Sequence, residues 1–279
     1  GGGSAVPSAS ASFHASQNRS IAVWAAEPSV WAAPVCPRCF YVNNVLKLSQ
    51  QTGAAQTLGS AAHTAIERFC EAWKEADAEG TALPPPERLL ELGDEAFEEL
   101  TPANEPLNRA EQARLRAQLE MYLEHLHDLD RGDVQVLETE KAWQVGYEHQ
   151  GATHTIYARI DRIDQVAGRI RIVDYKTGST AKRLTEPETD TSSLLQLGIY
   201  QMVVDDLFGG PQEGTAEYWI LGEGDVGSVE LAGLREQGKK ALGTKVRDKI
   251  GVAIDGILAG DFSGQGPKCY GDCARFWPD

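Results

Sequence analysis

The stretch Arg169-Ile170-Arg171-Ile172-Val173-Asp174-Tyr175-Lys176-Thr177-Gly178 decides how this chain folds. Its Ile and Val residues favour a β-strand. Side chains alternate across a strand, so Ile170, Ile172, Asp174 and Lys176 are predicted to share one face. A carboxylate and an ammonium group therefore project side by side from the end of a half-buried strand, an arrangement that packing alone does not require.

The segment before it, residues 153–167, is predicted to be a second strand. Its two faces carry different side chains, with Ile156, Ala158 and Ile160 on one and Tyr157, Arg159, Asp161 and Ile163 on the other. Ala167-Gly168-Arg169 is typical of a tight turn, which predicts an antiparallel hairpin with Asp161 beside Asp174. An ordinary hairpin with a surface ion pair explains these residues equally well when they are taken alone.

Two carboxylates and a lysine in this arrangement suit a metal-dependent phosphodiesterase. Hard divalent cations such as Mg²⁺ bind several oxygen ligands. A metal-bound water has a lowered pKa and provides a nucleophile at neutral pH. A lysine beside a metal and a phosphate stays cationic and acts as a point charge on the developing negative charge.

Two predicted helices add polar residues to this set. One covers residues 58–73 and carries His63 near its start, and the other covers 192–208 and places Gln196 and Tyr200 on one face. Taken singly, a structural histidine and a buried hydrogen bond between Gln196 and Tyr200 explain these residues. The four elements in this order are much harder to explain by packing.

The order of these motifs resembles the RecB-like exonuclease branch of the PD-(D/E)XK nuclease superfamily. The motifs are Gly59-xxx-His63, Ala158-Arg159-Ile160-Asp161-Arg162, Val173-Asp174-Tyr175-Lys176-Thr177-Gly178 and Gln196-xxx-Tyr200. The resemblance covers about residues 24–279. It implies a restriction-endonuclease-like α/β core, in which a mixed central β-sheet is flanked by helices, with a helical insert and a terminal cysteine metal clip.

The resemblance also implies roles for individual residues of the site. His63, Asp161 and Asp174 are expected to bind the catalytic Mg²⁺ or Mn²⁺, with the backbone carbonyl of Tyr175 as an additional ligand. Lys176 is expected to orient the attacking water or to stabilise the transition state. Ala158 stands where the family usually has glycine, which is a mild departure because alanine is also small.

Contacts with DNA are expected despite a formal net charge of −15. Much of the acidity lies between residues 71 and 140, in and around two predicted helical segments. The resemblance places Gln196 and Tyr200 along the DNA path. Basic residues that are expected to contact DNA near the site are Arg162, Lys182 and Arg183.

The cysteines carry a second signal, because two pairs lie near the two ends of the chain. The pairs are Cys36 with Cys39 and Cys269 with Cys273. The resemblance implies a [4Fe-4S] cluster held by one N-terminal and three C-terminal thiolates. Trp277 stands in the expected position of the last cysteine, so Cys39 is the substitute ligand. Four thiolates in two pairs suit Zn²⁺ as well, and a disulfide or a set of free thiols are further alternatives.

The chain is expected to form a single nuclease domain over residues 21–279, after a disordered tail or linker over 1–20. A helical insert is predicted over 87–130, and the metal clip lies at 36–39 and 269–273. Strands are predicted near 134–147, 153–167, 169–177, 215–221 and 226–231, followed by a helix near 233–259. No apolar stretch approaches the ~20 residues that a membrane span needs, and we expect a cytoplasmic protein.

Together these features predict a metal-dependent DNA nuclease. It is expected to be an exonuclease on single-stranded DNA or DNA ends, in repair, recombination or CRISPR adaptation, with a helicase, recombinase or CRISPR integrase as partner. The alternative is a non-catalytic, nuclease-like scaffold that binds DNA ends or such a partner. The intact set of His63, Asp161, Asp174 and Lys176 favours the enzyme, because a scaffold does not need all four.

Overall fold

The computed structural model describes residues 23–24, 54–100, 105–128, 133–177, 184–189 and 191–261. Six helices of the described residues flank one sheet. The helices are α1 (Ala54–Glu79), α2 (Pro86–Leu100), α3 (Glu105–Asp128), α4 (Thr191–Leu207), α5 (Leu231–Arg235) and α6 (Leu242–Ala259). The strands are β1 (Val23–Trp24), β2 (Val134–His149), β3 (Ala152–Val166), β4 (Arg169–Lys176), β5 (Gly214–Ile220) and β6 (Asp225–Glu230).

The sheet is mixed and six-stranded, in the order β1-β3-β4-β5-β6, with β2 paired to β3. The β2–β3, β3–β4 and β5–β6 pairs are antiparallel. The β1–β3 and β4–β5 pairs are parallel. Helix α4 makes the crossover that a parallel connection between β4 and β5 requires. The predicted fold class, a mixed sheet flanked by helices, is confirmed.

Each face of the sheet is covered by a separate apolar layer. Helices α4 and α6 pack on one face, where Leu195, Val203 and Ile250 belong to the same buried cluster as Ile156 and Ile172. Helices α1, α2 and α3 cover the other face, with a cluster that includes Phe69, Leu89, Leu119, Val173 and Trp219. A sheet buried on both faces makes β3 and β4 interior strands, so polar groups on them need partners.

The turn between β3 and β4 has the predicted tight form. Ala167 and Gly168 have φ values of +49° and +79°, and Val166 pairs directly with Arg169. Two successive residues with positive φ form the type of turn whose twist matches that of a hairpin. The paired register ends with Arg162 opposite Val173, and Asp161 and Asp174, which were predicted to lie side by side, come next on the two strands.

The other helices differ in detail from the sequence predictions. The insert predicted over 87–130 contains α2 and α3. The helix predicted near 233–259 is two helices, α5 and α6, because the chain leaves the helical conformation at Glu236 and Gly238 has a φ of +147°. The predicted tail over 1–20 and the cysteine pairs at 36–39 and 269–273 lie outside the described residues. None of the described helices is long and apolar enough to cross a membrane.

Candidate active site

The paired carboxylates lie where β3 and β4 separate, between α1 and α4. Asp161 and Asp174 are 7% and 1% exposed. Asp161 Oδ2 accepts a hydrogen bond of 2.8 Å from the backbone N–H of Tyr175. Lys176 Nζ lies 2.5 Å from Asp174 Oδ2. The carboxylate and the ammonium group therefore form a close ion pair on one face of β4, as predicted from the alternation of its side chains.

Helix α1 brings His63 to the same place. His63 Nδ1 lies 3.7 Å from Asp161 Oδ2, and 30% of the histidine side chain is exposed. One turn earlier on α1, a Cβ atom at Gly59 would lie 3.1 Å from Thr177 Oγ1, closer than ordinary packing allows. Glycine at this position therefore lets α1 approach the end of β4, which places His63 beside the carboxylates.

A further acidic residue, Glu140, completes the cluster and was missed by the sequence analysis. Its Oε1 lies 2.7 Å from His63 Nδ1, and its Oε2 lies 2.8 Å from Arg159 Nε. The pairs on either side of it, Thr139 with Arg162 and Lys141 with Ile160, place it opposite Asp161. The register of the β2–β3 hairpin could have revealed it, because that register stays constant from the turn to Glu138 and shifts only beyond it.

The backbone at Glu140 is unusual for a side chain of its kind. Its φ is +42°, in the left-handed region that residues other than Gly, Asn and Asp rarely adopt. Such conformations are costly and cluster at functional sites, where surrounding contacts maintain them. The strained backbone therefore agrees with a functional role for this glutamate.

The alternation of side chains on β3 shifts near Asp161. Ile163 belongs to the same buried cluster as Ile156 and Ile160, although the simple alternation placed it on the opposite face. Arg162 consequently points into the other layer, where its Nη1 donates to Tyr122 Oη over 2.6 Å. This corrects our expectation that Arg162 contacts DNA. Its side chain is 0% exposed and offers no surface to a phosphate.

Gln196 and Tyr200 lie on α4 directly behind Asp174. Gln196 Nε2 donates hydrogen bonds to Asp174 Oδ1 and, over 2.7 Å, to Tyr200 Oη. Tyr200 Oη donates to the same carboxylate oxygen over 3.1 Å. Burial raises the pKa of Tyr200 well above its ordinary value, so the hydroxyl keeps the proton that it donates. Both side chains are buried and contact Asp174 in this arrangement, and their expected contact with DNA stays a prediction.

The donor set suits a hard divalent cation. One ligand atom from each of His63, Glu140 and Asp161 lies within 4.8 Å of the other two, and Asp174 lies on the neighbouring strand β4. Carboxylate oxygens with one imidazole are ligands that Mg²⁺ and Mn²⁺ accept. Burial and the negative charge of Asp174 raise the pKa of Asp161 above its ordinary value. A bound cation would offset the repulsion between these two carboxylates.

The protonation of His63 responds to the same charge. Burial lowers its pKa, but the negative charges of Asp161 and Glu140 and the hydrogen bond to Glu140 outweigh burial and raise it to about 9. In the metal-free protein at neutral pH the imidazole is therefore protonated. A metal must displace that proton before His63 can become a ligand.

We expect the affinity for Mn²⁺ to rise with pH up to about 9, the pKa of His63. Below that pH protons on His63 and Asp161 compete with the metal, so lowering the pH weakens binding and binding releases protons. Titration calorimetry in buffers of different ionisation enthalpy measures both the affinity and the protons released. A pH-independent affinity with no proton release would contradict the assignment of these ligands.

We expect Glu140→Gln to weaken Mn²⁺ binding by at least about tenfold, because an amide oxygen carries no charge to offset that of the cation. Glu138→Gln is the matched control, since Glu138 lies on the same strand but pairs with Lys74 and Lys141. Calorimetry on both variants measures the difference. Equal affinities of the two variants would remove Glu140 from the ligand set.

Several predicted site residues cannot be placed. Lys182 and Arg183 lie outside the described residues, as do the four cysteines of the terminal pairs. Cys70 is buried, and its Sγ lies 3.4 Å from Tyr122 Oη. The carbonyl of Tyr175 as a metal ligand stays a prediction.

One of three comparisons with known proteins identifies the family of the chain. No curated protein matches the chain. Among solved structures, it is similar to one described as the crystal structure of SSO0001, with 14% identity over 80% of this chain and 84% of that one, and a TM-score of 0.31. A likeness this low carries no conclusion of its own. The family model described as the PD-(D/E)XK nuclease superfamily matches residues 32–275, and the chain therefore belongs to that superfamily.

Proposed function

We propose that this protein is a metal-dependent deoxyribonuclease of the RecB-like branch of its superfamily. The observation that carries the proposal is the convergence of His63, Glu140 and Asp161, whose ligand atoms lie within 4.8 Å of one another, beside the ion pair of Lys176 with Asp174 at 2.5 Å. Buried charges cost free energy unless they are paired, and burial together with the negative charge of Asp174 raises the pKa of Asp161, which favours a role for the cluster beyond packing.

His63, Glu140, Asp161 and Asp174 would hold the divalent cation. When bound, such a cation supplies Lewis-acid chemistry and lowers the pKa of a water molecule. Lys176 keeps an ammonium group beside Asp174, where it offsets negative charge on the scissile phosphate. Gln196 and Tyr200 orient Asp174 through its Oδ1, so that its other oxygen faces Lys176.

The substrate that we propose is single-stranded DNA or a DNA end, cleaved exonucleolytically. The order of the GxxxH, Asp, Asp-Tyr-Lys and QxxxY motifs supports this, since it resembles that of RecB-like exonucleases. We further propose a role in repair, recombination or CRISPR adaptation, with a helicase, recombinase or CRISPR integrase as partner.

The test is incubation of labelled single-stranded and double-stranded DNA with the protein and Mn²⁺ or Mg²⁺, with and without EDTA. We expect the labelled DNA to become shorter in the presence of the metal, and we expect EDTA to abolish this cleavage. Substrates blocked at the 5′ or the 3′ end reveal the polarity of an exonuclease. A circular substrate and a substrate blocked at both ends resist an exonuclease but are still cut by an endonuclease.

The competing proposal is a nuclease-like scaffold that binds DNA ends without cutting them. It predicts a gel shift with DNA and no product at any metal concentration. Metal-dependent product from the wild-type protein, absent from the Asp174→Ala variant, would eliminate the scaffold.

The terminal cysteine pairs are proposed to hold a metal, either a [4Fe-4S] cluster or Zn²⁺. The spacing of Cys36 with Cys39 and of Cys269 with Cys273 supports this proposal. Anaerobically purified protein with the visible absorption of an iron–sulfur cluster supports the first. Colourless protein that contains zinc supports the second, and metal-free protein contradicts both.

A further inference from the structure

Tyr218 lies beside the candidate site and belongs to none of the motifs discussed so far. It is on β5, directly opposite Asp174 in the parallel β4–β5 register, and it is 1% exposed. Its hydroxyl lies 2.6 Å from the carbonyl oxygen of Ser193 and 3.1 Å from Gln196 Oε1. Lys176 Nζ lies 5.2 Å from the centre of its ring.

The orientation of the Gln196 carboxamide matters to both charged residues of β4. Gln196 Oε1 accepts a hydrogen bond of 3.1 Å from Lys176 Nζ, while Nε2 donates to Asp174. A rotation of the amide by half a turn would place its NH₂ group against the ammonium group and its oxygen against the carboxylate. Either contact is repulsive, so the site depends on one orientation.

Tyr218 supports the position of Gln196 in two ways. Its one hydroxyl proton has two acceptors in reach, the carbonyl oxygen of Ser193 at 2.6 Å and Gln196 Oε1 at 3.1 Å, so the observed orientation of the amide presents an acceptor to the hydroxyl. Its shorter contact, to Ser193 in the first turn of α4, ties the start of that helix to β5. Gln196 is one turn further along α4, so this contact helps to fix the position of Gln196 relative to Asp174.

The aromatic ring adds a contact with the ammonium group. A cation near the face of a tyrosine ring is attracted by the ring quadrupole, most strongly where water is excluded. The ring of Tyr218 therefore helps to keep Lys176 close to Asp174 in a partly buried position.

We propose that Tyr218 is a positioning residue of the candidate site, acting through Gln196 on Asp174 and through its ring on Lys176. This inference rests on the proposed nuclease function, but it concerns an arrangement that can also be tested without cleavage. Tyr218 need not touch DNA or metal to affect the reaction.

The first test compares the kinetics of Tyr218→Phe with those of wild type. Phenylalanine keeps the ring and removes only the hydroxyl, so we expect kcat for DNA cleavage to fall about fivefold to tenfold, the equivalent of one hydrogen bond, with an unchanged KM. Tyr147→Phe is the control, because the Tyr147 hydroxyl also donates to a backbone carbonyl, that of Arg247, at 3.1 Å. The control should match wild type.

A double-mutant cycle tests the route of the effect. If Tyr218 acts through Gln196, the Tyr218→Phe change should cost nothing further in a Gln196→Ala background, because interacting residues are non-additive. An equal fold-loss in both backgrounds would overturn the proposed route, as would wild-type kcat in the single Tyr218→Phe variant.

A measurement without metal or DNA separates this inference from the proposed function. The side-chain amide protons of Gln196, assigned by NMR as the signals lost in Gln196→Ala, should exchange with solvent slowly in wild type and faster in Tyr218→Phe. Unchanged exchange would overturn the positioning role even if the enzyme cleaves DNA. Wild-type protein that does not cleave DNA would refute the proposed function, and the exchange result would still stand.

Discussion

We expect Asp174→Ala to lower metal-dependent DNA cleavage by about a thousandfold or more. Loss of this carboxylate removes a proposed metal ligand and also the partner of Lys176. A metal stabilises such a transition state by several kcal/mol, and about 1.4 kcal/mol corresponds to a factor of ten in rate. Initial rates on labelled single-stranded DNA at saturating Mn²⁺ measure the loss. Asp161→Ala and Lys176→Ala should abolish cleavage for the same reasons.

The fold should survive the Asp174→Ala change, because the carboxylate lies at the end of a strand and its removal relieves the repulsion that raises the pKa of Asp161. Cooperative thermal unfolding and unchanged far-ultraviolet circular dichroism would establish this. Asp206→Ala is the matched control, since Asp206 is an exposed carboxylate near the C-terminal end of α4. Near-wild-type activity of Asp174→Ala would refute the assigned site.

We expect Asp164→Asn to lower the free energy of unfolding by about 3–5 kcal/mol. Asp164 is fully buried and bridges two arginines, with Oδ1 at 2.6 Å from Arg162 Nε and Oδ2 at 2.6 Å from Arg171 Nη2. Asparagine has nearly the same shape but no charge, so both buried guanidinium groups would lose their counter-ion. Denaturant unfolding followed by tryptophan fluorescence measures the difference.

An exposed ion pair on the same sheet provides the comparison. Arg169 and Glu230 form a pair at 2.9 Å with side chains 55% and 60% exposed. Glu230→Gln should cost less than about 1 kcal/mol, because water and salt screen exposed charges. Similar losses for Asp164→Asn and Glu230→Gln would mean that the buried network contributes little to stability.

The buried network also explains why the prediction for Arg162 failed. From the sequence, a basic residue directly after a metal-binding aspartate was expected beside DNA. In the structure Arg162 lies between Trp73 and Trp219, with its guanidinium carbon 5.2 Å and 5.8 Å from their rings. Helices cover both faces of β3, so Arg162 is buried on either face, and the pattern within one strand does not reveal that cover.

Glu140 was missed for a related reason. It lies in a strand that also carries Glu138, Lys141 and Glu148, so its residue type alone does not mark it. Its proximity to His63 depends on a left-handed backbone conformation and on the approach of α1. Each of these is a product of packing between segments that are far apart along the chain.

The sequence by itself determined the hairpin, the placement of Asp161 near Asp174, and the ion pair of Asp174 with Lys176. These depend on alternation and on a tight turn, which are local properties of the backbone. It also placed His63, Gln196 and Tyr200 in the right helices. Only the tertiary structure decided that Glu140 joins the cluster, that Gln196 and Tyr200 support Asp174 from behind, and that Arg162 belongs to the core. Those outcomes depend on how layers pack across the sheet, and contacts between distant segments follow no short-range period.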